Sequence, residues 1–361
     1  MKALVYDGEG KRIVLQDRPE PKLSSPTDAI VRITRTTICG TDLHILRGHV
    51  ATCRPGTILG HEGEGVVREV GSAVTRFRPG DVVLVSCISS CARCEYCRRG
   101  MYSHCASGGG WILGNTIDGT QAEYVRVPHA DSSLHAIPDN MVNAVPGGAM
   151  TMLSDIFPTA LECGVQNGKV SPGSTVAIVG AGPVGLAALM TAQMYSPSTI
   201  VVLGRDPKRL DVAKKLGATE VINNGGGTGG EEEQDDDALA RIRDMTDGKG
   251  FDTVIEAVGV PATFELCQKL LAPGGVLANV GVHGVPAKLH LDQLWAKNIA
   301  ITTRLVDGGV TPMLIEQVAA GKLRPVDLIT HRFKLDEGEE AYRTFSQARE
   351  TGALKVLLET D

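Results

Sequence analysis

The sequence predicts an α/β protein of two domains, a β-rich opening third and a parallel sheet covered by helices from about residue 172 to 300. Three observations carry this expectation. The chain has 361 residues, more than one hydrophobic core ordinarily supports. Short apolar or alternating runs, broken by Gly, Pro and Asp, fill the first third. Farther on, continuous apolar strands alternate with helical patterns, as parallel strands joined by crossover helices require.

The elements follow in order. MKALVY, AIVRITRTTI and EGVVREVGSAVTRFRPGDVVLVSC read as β-structure. TVAIVG is an apolar strand, followed by a Gly-rich turn and the helical PVGLAALMTAQMY. STIVVLG is a second strand and DPKRLDVAKKLGA a second helix. TEVINN, FDTVIEAVG, GVLANVG and IAITTRL read as further strands. VTPMLIEQVAAGKL and EGEEAYRTFSQARE read as helices, and ALKVLLE as a closing strand. Residues 223–237, NNGGGTGGEEEQDDD, carry six acids and no base. They read as an exposed, solvated loop before the helix ALARIRDM.

Composition narrows the function. The 36 Lys+Arg against 42 Asp+Glu give a net charge of −6, which disfavours a nucleic-acid partner. The N-terminus lacks a basic region followed by an apolar one, and no apolar run is long enough to span a bilayer. A soluble cytoplasmic protein without membrane or nucleic-acid partners is expected. The nine cysteines then read as metal ligands and packing residues, since four of them crowd one loop. Cys87 is expected in a strand, and Cys53, Cys163 and Cys267 in the core.

Gly180-Ala181-Gly182-Pro183-Val184-Gly185 follows a strand and opens a helix. In that setting the glycines allow a tight turn and close approach of a pyrophosphate, which the helix N-terminus then faces. The next strand ends Val202-Leu203-Gly204-Arg205-Asp206. With Gly204 at the position where a carboxylate would hold the ribose 2′-OH, room is left for a 2′-phosphate and Arg205 can bind it. That favours NADP(H) over NAD(H). Asp206 leaves a second reading open: a slip of two residues makes it the ribose acid, whereas Asp206-Pro207 also suits a helix N-cap.

Cys91-x-x-Cys94-x-x-Cys97 with Cys105 matches a closed tetrahedral structural zinc site. His104 is adjacent and could compete as a ligand. A second set is dispersed: Cys39 within CGTDLH, His61 and Glu62 within GHE, and Asp155 within LSDI.

Taken together, CGTDLH, GHE, the four-Cys lobe, Ser154-Asp155, the dinucleotide fingerprint and Glu256-Ala257-Val258-Gly259 resemble the zinc-dependent medium-chain alcohol dehydrogenases over nearly the whole chain. The bacterial-type and secondary enzymes of that family, with Asp as third ligand, are the most similar. The resemblance implies a Rossmann domain (157–299) inserted in a discontinuous β-rich, GroES-like catalytic domain (1–156 and 300–361). The structural zinc lobe falls at 87–106, and the active site lies in the cleft between the domains. It implies two zinc ions per chain, one catalytic on Cys39, His61 and Asp155 and one structural. Glu62 can approach the catalytic ion. The resemblance further implies hydride exchange between the cofactor and an alcohol, with the proton leaving through Thr41, the nicotinamide ribose and His44. Thr159, Arg205, Arg209 and Lys355 match cofactor-binding positions, Lys355 at the pyrophosphate. Trp111 matches a pocket-lining position. A small alcohol, aldehyde or ketone is the expected substrate, with an NAD-dependent polyol or formaldehyde-type dehydrogenase as the alternative. A dimer or tetramer is the expected assembly.

Overall fold

The computed structural model describes residues 1–8, 10–142, 147–225 and 231–360, the side chains of 231–237 excepted. The chain forms two compact units. One comprises Met1–Pro158 with Val306–Asp361, the other Thr159–Leu305.

The first unit begins with β1 (Lys2–Asp7) and β2 (Arg12–Asp17), an antiparallel pair. It continues through β3 (Ala29–Ile38), β4 (Gly63–Val70), β5 (Val82–Val85), β6 (Tyr124–Val127) and β7 (Leu134–Ala136). In the second unit follow β8 (Thr175–Val179), β9 (Thr199–Gly204), β10 (Glu220–Asn223), β11 (Phe251–Glu256), β12 (Leu271–Asn279) and β13 (Ala300–Thr303). The chain then re-enters the first unit for β14 (Ile329–Lys334) and β15 (Lys355–Glu359).

The main sheet of the first unit has the order β14-β15-β3-β4-β5-β7, with β6 also paired to β3. The ten-residue β3 is its spine. Val31 and Ile33 pack with Val67, Val83 and Val125 in one apolar cluster, while Ile38 packs with Leu4, Val356 and Leu358 in another. Burying β-branched side chains at about 25 cal/mol per Å² of apolar surface holds these layers together. What matters for the site is where the strands end. The end of β3 releases Cys39, and β4 starts directly after His61 and Glu62, with Thr36 opposite Gly63 in the ladder.

The second unit is a six-stranded parallel sheet of order β10-β9-β8-β11-β12-β13. That is the doubly wound dinucleotide-binding order, in which the parallel strands are laid outward in both directions from β8 and β11. Val176–Val179 and Ile200–Leu203 are buried, as strands covered on both faces must be.

Several expectations change. β13 pairs in parallel with β12, so the return to the first unit falls at Val306 and not at residue 300. Part of the expected acidic loop is helical: the helix that was placed at ALARIRDM spans Glu231–Met245. Acids favour a helix N-terminus through the backbone dipole, which composition alone does not weigh. Residues 226–230 of the same stretch lie outside the described residues. Cys87 is buried but falls after β5, not in it. Among the described residues no helix is long and apolar enough to cross a membrane.

Candidate active site

Three strand and helix ends converge in the first unit. Cys39 is the N-cap of the Gly40–Leu46 helix. His61 and Glu62 sit at the start of β4, and Asp155 follows a helical turn at Met150–Ser154. The hydroxyl of Ser154 takes the Gly63 amide at 3.1 Å, which pins Asp155 beside the β4 entrance. As a result, ligand atoms of Cys39, His61, Glu62 and Asp155 all lie within 4.8 Å of one another. His61 Nε2 is 3.4 Å and Cys39 Sγ 3.7 Å from Asp155 Oδ2, and Thr41 Oγ1 is 3.6 Å from Cys39 Sγ.

The electrostatics of this group fit a cation. Burial pushes the Cys39 thiol up, opposed by the neighbouring imidazole. Burial alone would lower His61, but Asp155 and Cys39 overcome it and hold His61 well above its ordinary value. A thiol, an imidazole and a carboxylate are thus crowded in a dry place where only a shared positive charge satisfies all three. Two further atoms point the same way. His61 Nδ1 and Asp42 Oδ1 are buried without a hydrogen-bond partner among the described residues. Asp42 and His61 interact electrostatically, His61 lowering the Asp42 carboxyl that burial raises. Asp42 is itself fixed: Oδ2 accepts the Cys39 amide at 2.9 Å and the Gln121 amide at 3.0 Å, and Tyr342 donates to Gln121 at 2.8 Å.

The second group is local. Cys91, Cys94, Cys97 and Cys105 place their sulfurs within the same 4.8 Å limit. A helical turn at Glu95–Arg98 has Cys94 as N-cap and Cys97 on its inner side. Amides of Cys91 and Cys94 point at the sulfurs of Cys105 and Cys91, both at 3.3 Å. Burial would raise Cys91, but hydrogen bonds from Ser107 and from the Arg93 and Cys94 backbone bring it down to about 5. Burial and the adjacent thiols push Cys97 up to about 12. Four thiols at this spacing ionise together only around a cation, and their tetrad suits zinc. His104 bonds to Ser103 instead.

In the second unit a cavity of about 580 Å³ opens at the carboxyl ends of β8 and β11. Gly180 adopts φ +113°, and a Cβ on Gly185 would collide with the Gly180 carbonyl. The Pro183–Ala192 helix starts there with Gly182 as N-cap. Gly204 is the last residue of β9, and Arg205, Asp206 and Arg209 line the cavity beside it. Asp206 is the N-cap of the next helix, accepting the Lys208 amide at 2.9 Å, with Arg209 Nε 3.8 Å away.

Residues 25–139 match the alcohol dehydrogenase GroES-like domain and residues 183–320 the zinc-binding dehydrogenase domain. An alcohol dehydrogenase of Cupriavidus necator is 36% identical over 99% of this chain and 98% of its own. The chain belongs to the zinc-dependent medium-chain alcohol dehydrogenases. Within this family, the zinc-dependent alcohol dehydrogenase 2 from Streptococcus pneumonia, solved in its apo form, superposes with a TM-score of 0.92 at 48% identity, covering 100% of this chain and 99% of that one. An NADP-dependent isopropanol dehydrogenase from Thermoanaerobacter brockii is 34% identical over 91% of this chain and 90% of its own.

Other family positions fall as follows. Trp111 stands edge-on to His61 with centroids 6.0 Å apart, and its indole nitrogen is buried without a hydrogen-bond partner among the described residues. Thr159 ends a short helix at Ile156–Thr159 and is the N-cap of a π-helical stretch, Ala160–Gln166, which the sequence reading did not anticipate. Lys355 has a partner that its sequence context does not name. It is 1% exposed, and its Nζ lies 2.8 Å from both oxygens of Glu62 and 3.3 Å from the Ile38 carbonyl. Its ammonium neutralises Glu62 beside Cys39, His61 and Asp155. The strand pattern of ALKVLLE predicts burial but not the partner, because a buried Lys must find an acid that only the sheet order supplies. Asp42, Gln121 and Tyr342 were missed for the same reason: they meet across 79 and 221 residues of chain.

Proposed function

We propose that this chain interconverts a primary or secondary alcohol with its aldehyde or ketone using NADP(H). The observation that carries the reading is the cluster of Cys39, His61 and Asp155, with Thr41 against Cys39. Cys39, His61 and Asp155 would hold a catalytic zinc, Glu62 stands by within reach, and Cys91, Cys94, Cys97 and Cys105 would hold a structural one. When bound, the catalytic zinc supplies Lewis-acid polarisation of the substrate oxygen and the nicotinamide supplies or accepts hydride. The chain's own groups do the rest. Thr41 and His44, three residues apart on the Gly40–Leu46 helix, share a face and would carry the proton away from that oxygen. Trp111 would wall the substrate side of His61. Lys355 holds Glu62 charged and hydrogen-bonded.

The NADP(H) preference is supported by Gly204 at the strand end, by Arg205 and Arg209 in the cavity, and by Asp206 being engaged as a helix cap. Titration with NADPH and NADH, followed by nicotinamide fluorescence, tests it: tighter NADPH binding is expected, and tighter NADH binding would return Asp206 to the ribose. Thr159, Gly180, Gly182, Pro183, Val184 and Gly185 would frame the remaining cofactor. A cytoplasmic setting accords with nine free thiols. A homo-oligomer is supported by the edge position of β13 and by Leu291 and Trp295 nearby, 61% and 80% exposed.

A further inference from the structure

His44 and His49 form a pair that the chain makes by local geometry. The Gly40–Leu46 helix ends with Arg47 as C-cap, and Gly48 takes φ +78°. The Gly48 amide donates to the Ile45 carbonyl at 2.8 Å and the His49 amide to the His44 carbonyl at 2.9 Å. This is the Schellman arrangement, in which the residue after the left-handed glycine folds back on the helical residue five before it. Such a pair is usually apolar. Here it is two imidazoles, with Nδ1 to Nδ1 at 3.1 Å and ring centroids 5.4 Å apart. His44 is half-buried and His49 exposed.

At that distance one Nδ1 carries a proton and the other accepts it. We propose that His49 is the outer partner of His44 in moving the reaction's proton to solvent, acting only through His44. The inference rests on the reading that His44 receives that proton. A proton arriving at Nε2 of His44 drives the Nδ1 proton of His44 onto Nδ1 of His49, and His49 releases its Nε2 proton to water. One proton enters and one leaves, no heavy-atom bond changes, and both rings finish neutral in the opposite tautomer. Both rings return to their starting tautomers by proton exchange with water before the next turnover. His49 is thus a positioning residue that also fixes which nitrogen of His44 is free.

The charges around the pair fit this role. Burial lowers His44, and the positive fields of His49 and Arg47 lower it further, with no carboxylate among the groups acting on it. An acidic neighbour would trap the proton on His44; an imidazole passes it on.

The test is His49→Gln. In the protein without nicotinamide, ¹⁵N NMR of the parent should follow the titration of His44, which burial and the positive fields of His49 and Arg47 lower. In His49→Gln, His44 should titrate at higher pH than in the parent, because the positive field of His49 is gone. In turnover, the variant should lose about threefold in the rate of alcohol oxidation, as expected for one outer link of a proton path. Its acidic limb should move to higher pH, because the remaining carrier saturates with its first proton, and added imidazole should restore the rate. A parent that turns over alcohol, with titration and pH profile unchanged in His49→Gln, overturns the relay. A parent with no nicotinamide-dependent turnover overturns the activity on which the relay rests, and the two failures are distinct.

Discussion

Cys91, Cys94, Cys97 and Cys105 come from a single loop, while Cys39, His61 and Asp155 come from three segments drawn together by strand pairing. The loop carries its own shell. Its amides turn inward onto its sulfurs, while Ser90 bonds Ser133 and Ser103 bonds Asp307 at 2.9 and 2.7 Å to tie it to distant chain. The dispersed set borrows its support from everywhere: Asp42 on the Cys39 amide, Gln121 and Tyr342 behind Asp42, and Lys355 behind Glu62. A site assembled locally stabilises the chain that makes it. A site assembled from the whole fold uses stability supplied elsewhere and can leave ligands crowded and polar atoms without partners, which suits chemistry at the metal.

Substitutions should separate the two sites, beginning with the largest effect. Cys39→Ser or Asp155→Asn should cost a thousandfold or more in turnover, ~4 kcal/mol of lost charge stabilisation, with melting temperature and cofactor affinity near the parent's. Near-normal rates would dissolve the distinction. Asp42→Asn should weaken catalytic-site zinc affinity or turnover by about 10–100-fold, leaving the lobe's zinc in place. Equal loss of both ions would mean that Asp42 only supports the fold. Cys94→Ser should do the reverse, lowering the melting temperature by about 5 °C or more while residual folded enzyme keeps its kcat.

A smaller effect sharpens the contrast in chemistry. The thiolate is the species that alkylates. In metal-free protein, Cys91 is ionised above a pH of about 5 and should react with iodoacetamide at pH 6–7. Cys97, raised to about 12, and Cys39, raised by burial, should remain slow until strongly alkaline pH. Peptide mapping by mass spectrometry checks the order, and zinc should protect Cys91.

The same contrast explains what could be read from sequence. The four-Cys loop and Gly180–Gly185 are legible because their chemistry sits within a few residues of one another. The apolar strands from Thr175 onward are legible because burial on both faces writes itself as Val and Ile. The dispersed ligands were found only through resemblance, since nothing local to His61 or Asp155 distinguishes them from ordinary polar residues. The Glu62 partner of Lys355 was not legible because it lies 293 residues away. His49 was overlooked although its signal is local: Gly48 after a helix end folds the next residue back onto the helix. The start of the Glu231–Met245 helix was misplaced because acid-rich composition reads as loop, whereas acids also open helices.

The central claim is that two chemically different zinc sites coexist, one of them catalytic. Its most direct test is the zinc content per chain of the purified protein and of Cys39→Ser, by elemental mass spectrometry. The account predicts about two ions in the parent and about one in the variant, with turnover lost alongside the missing ion. One ion or none in the parent, or the same content in both with turnover unchanged, would contradict it.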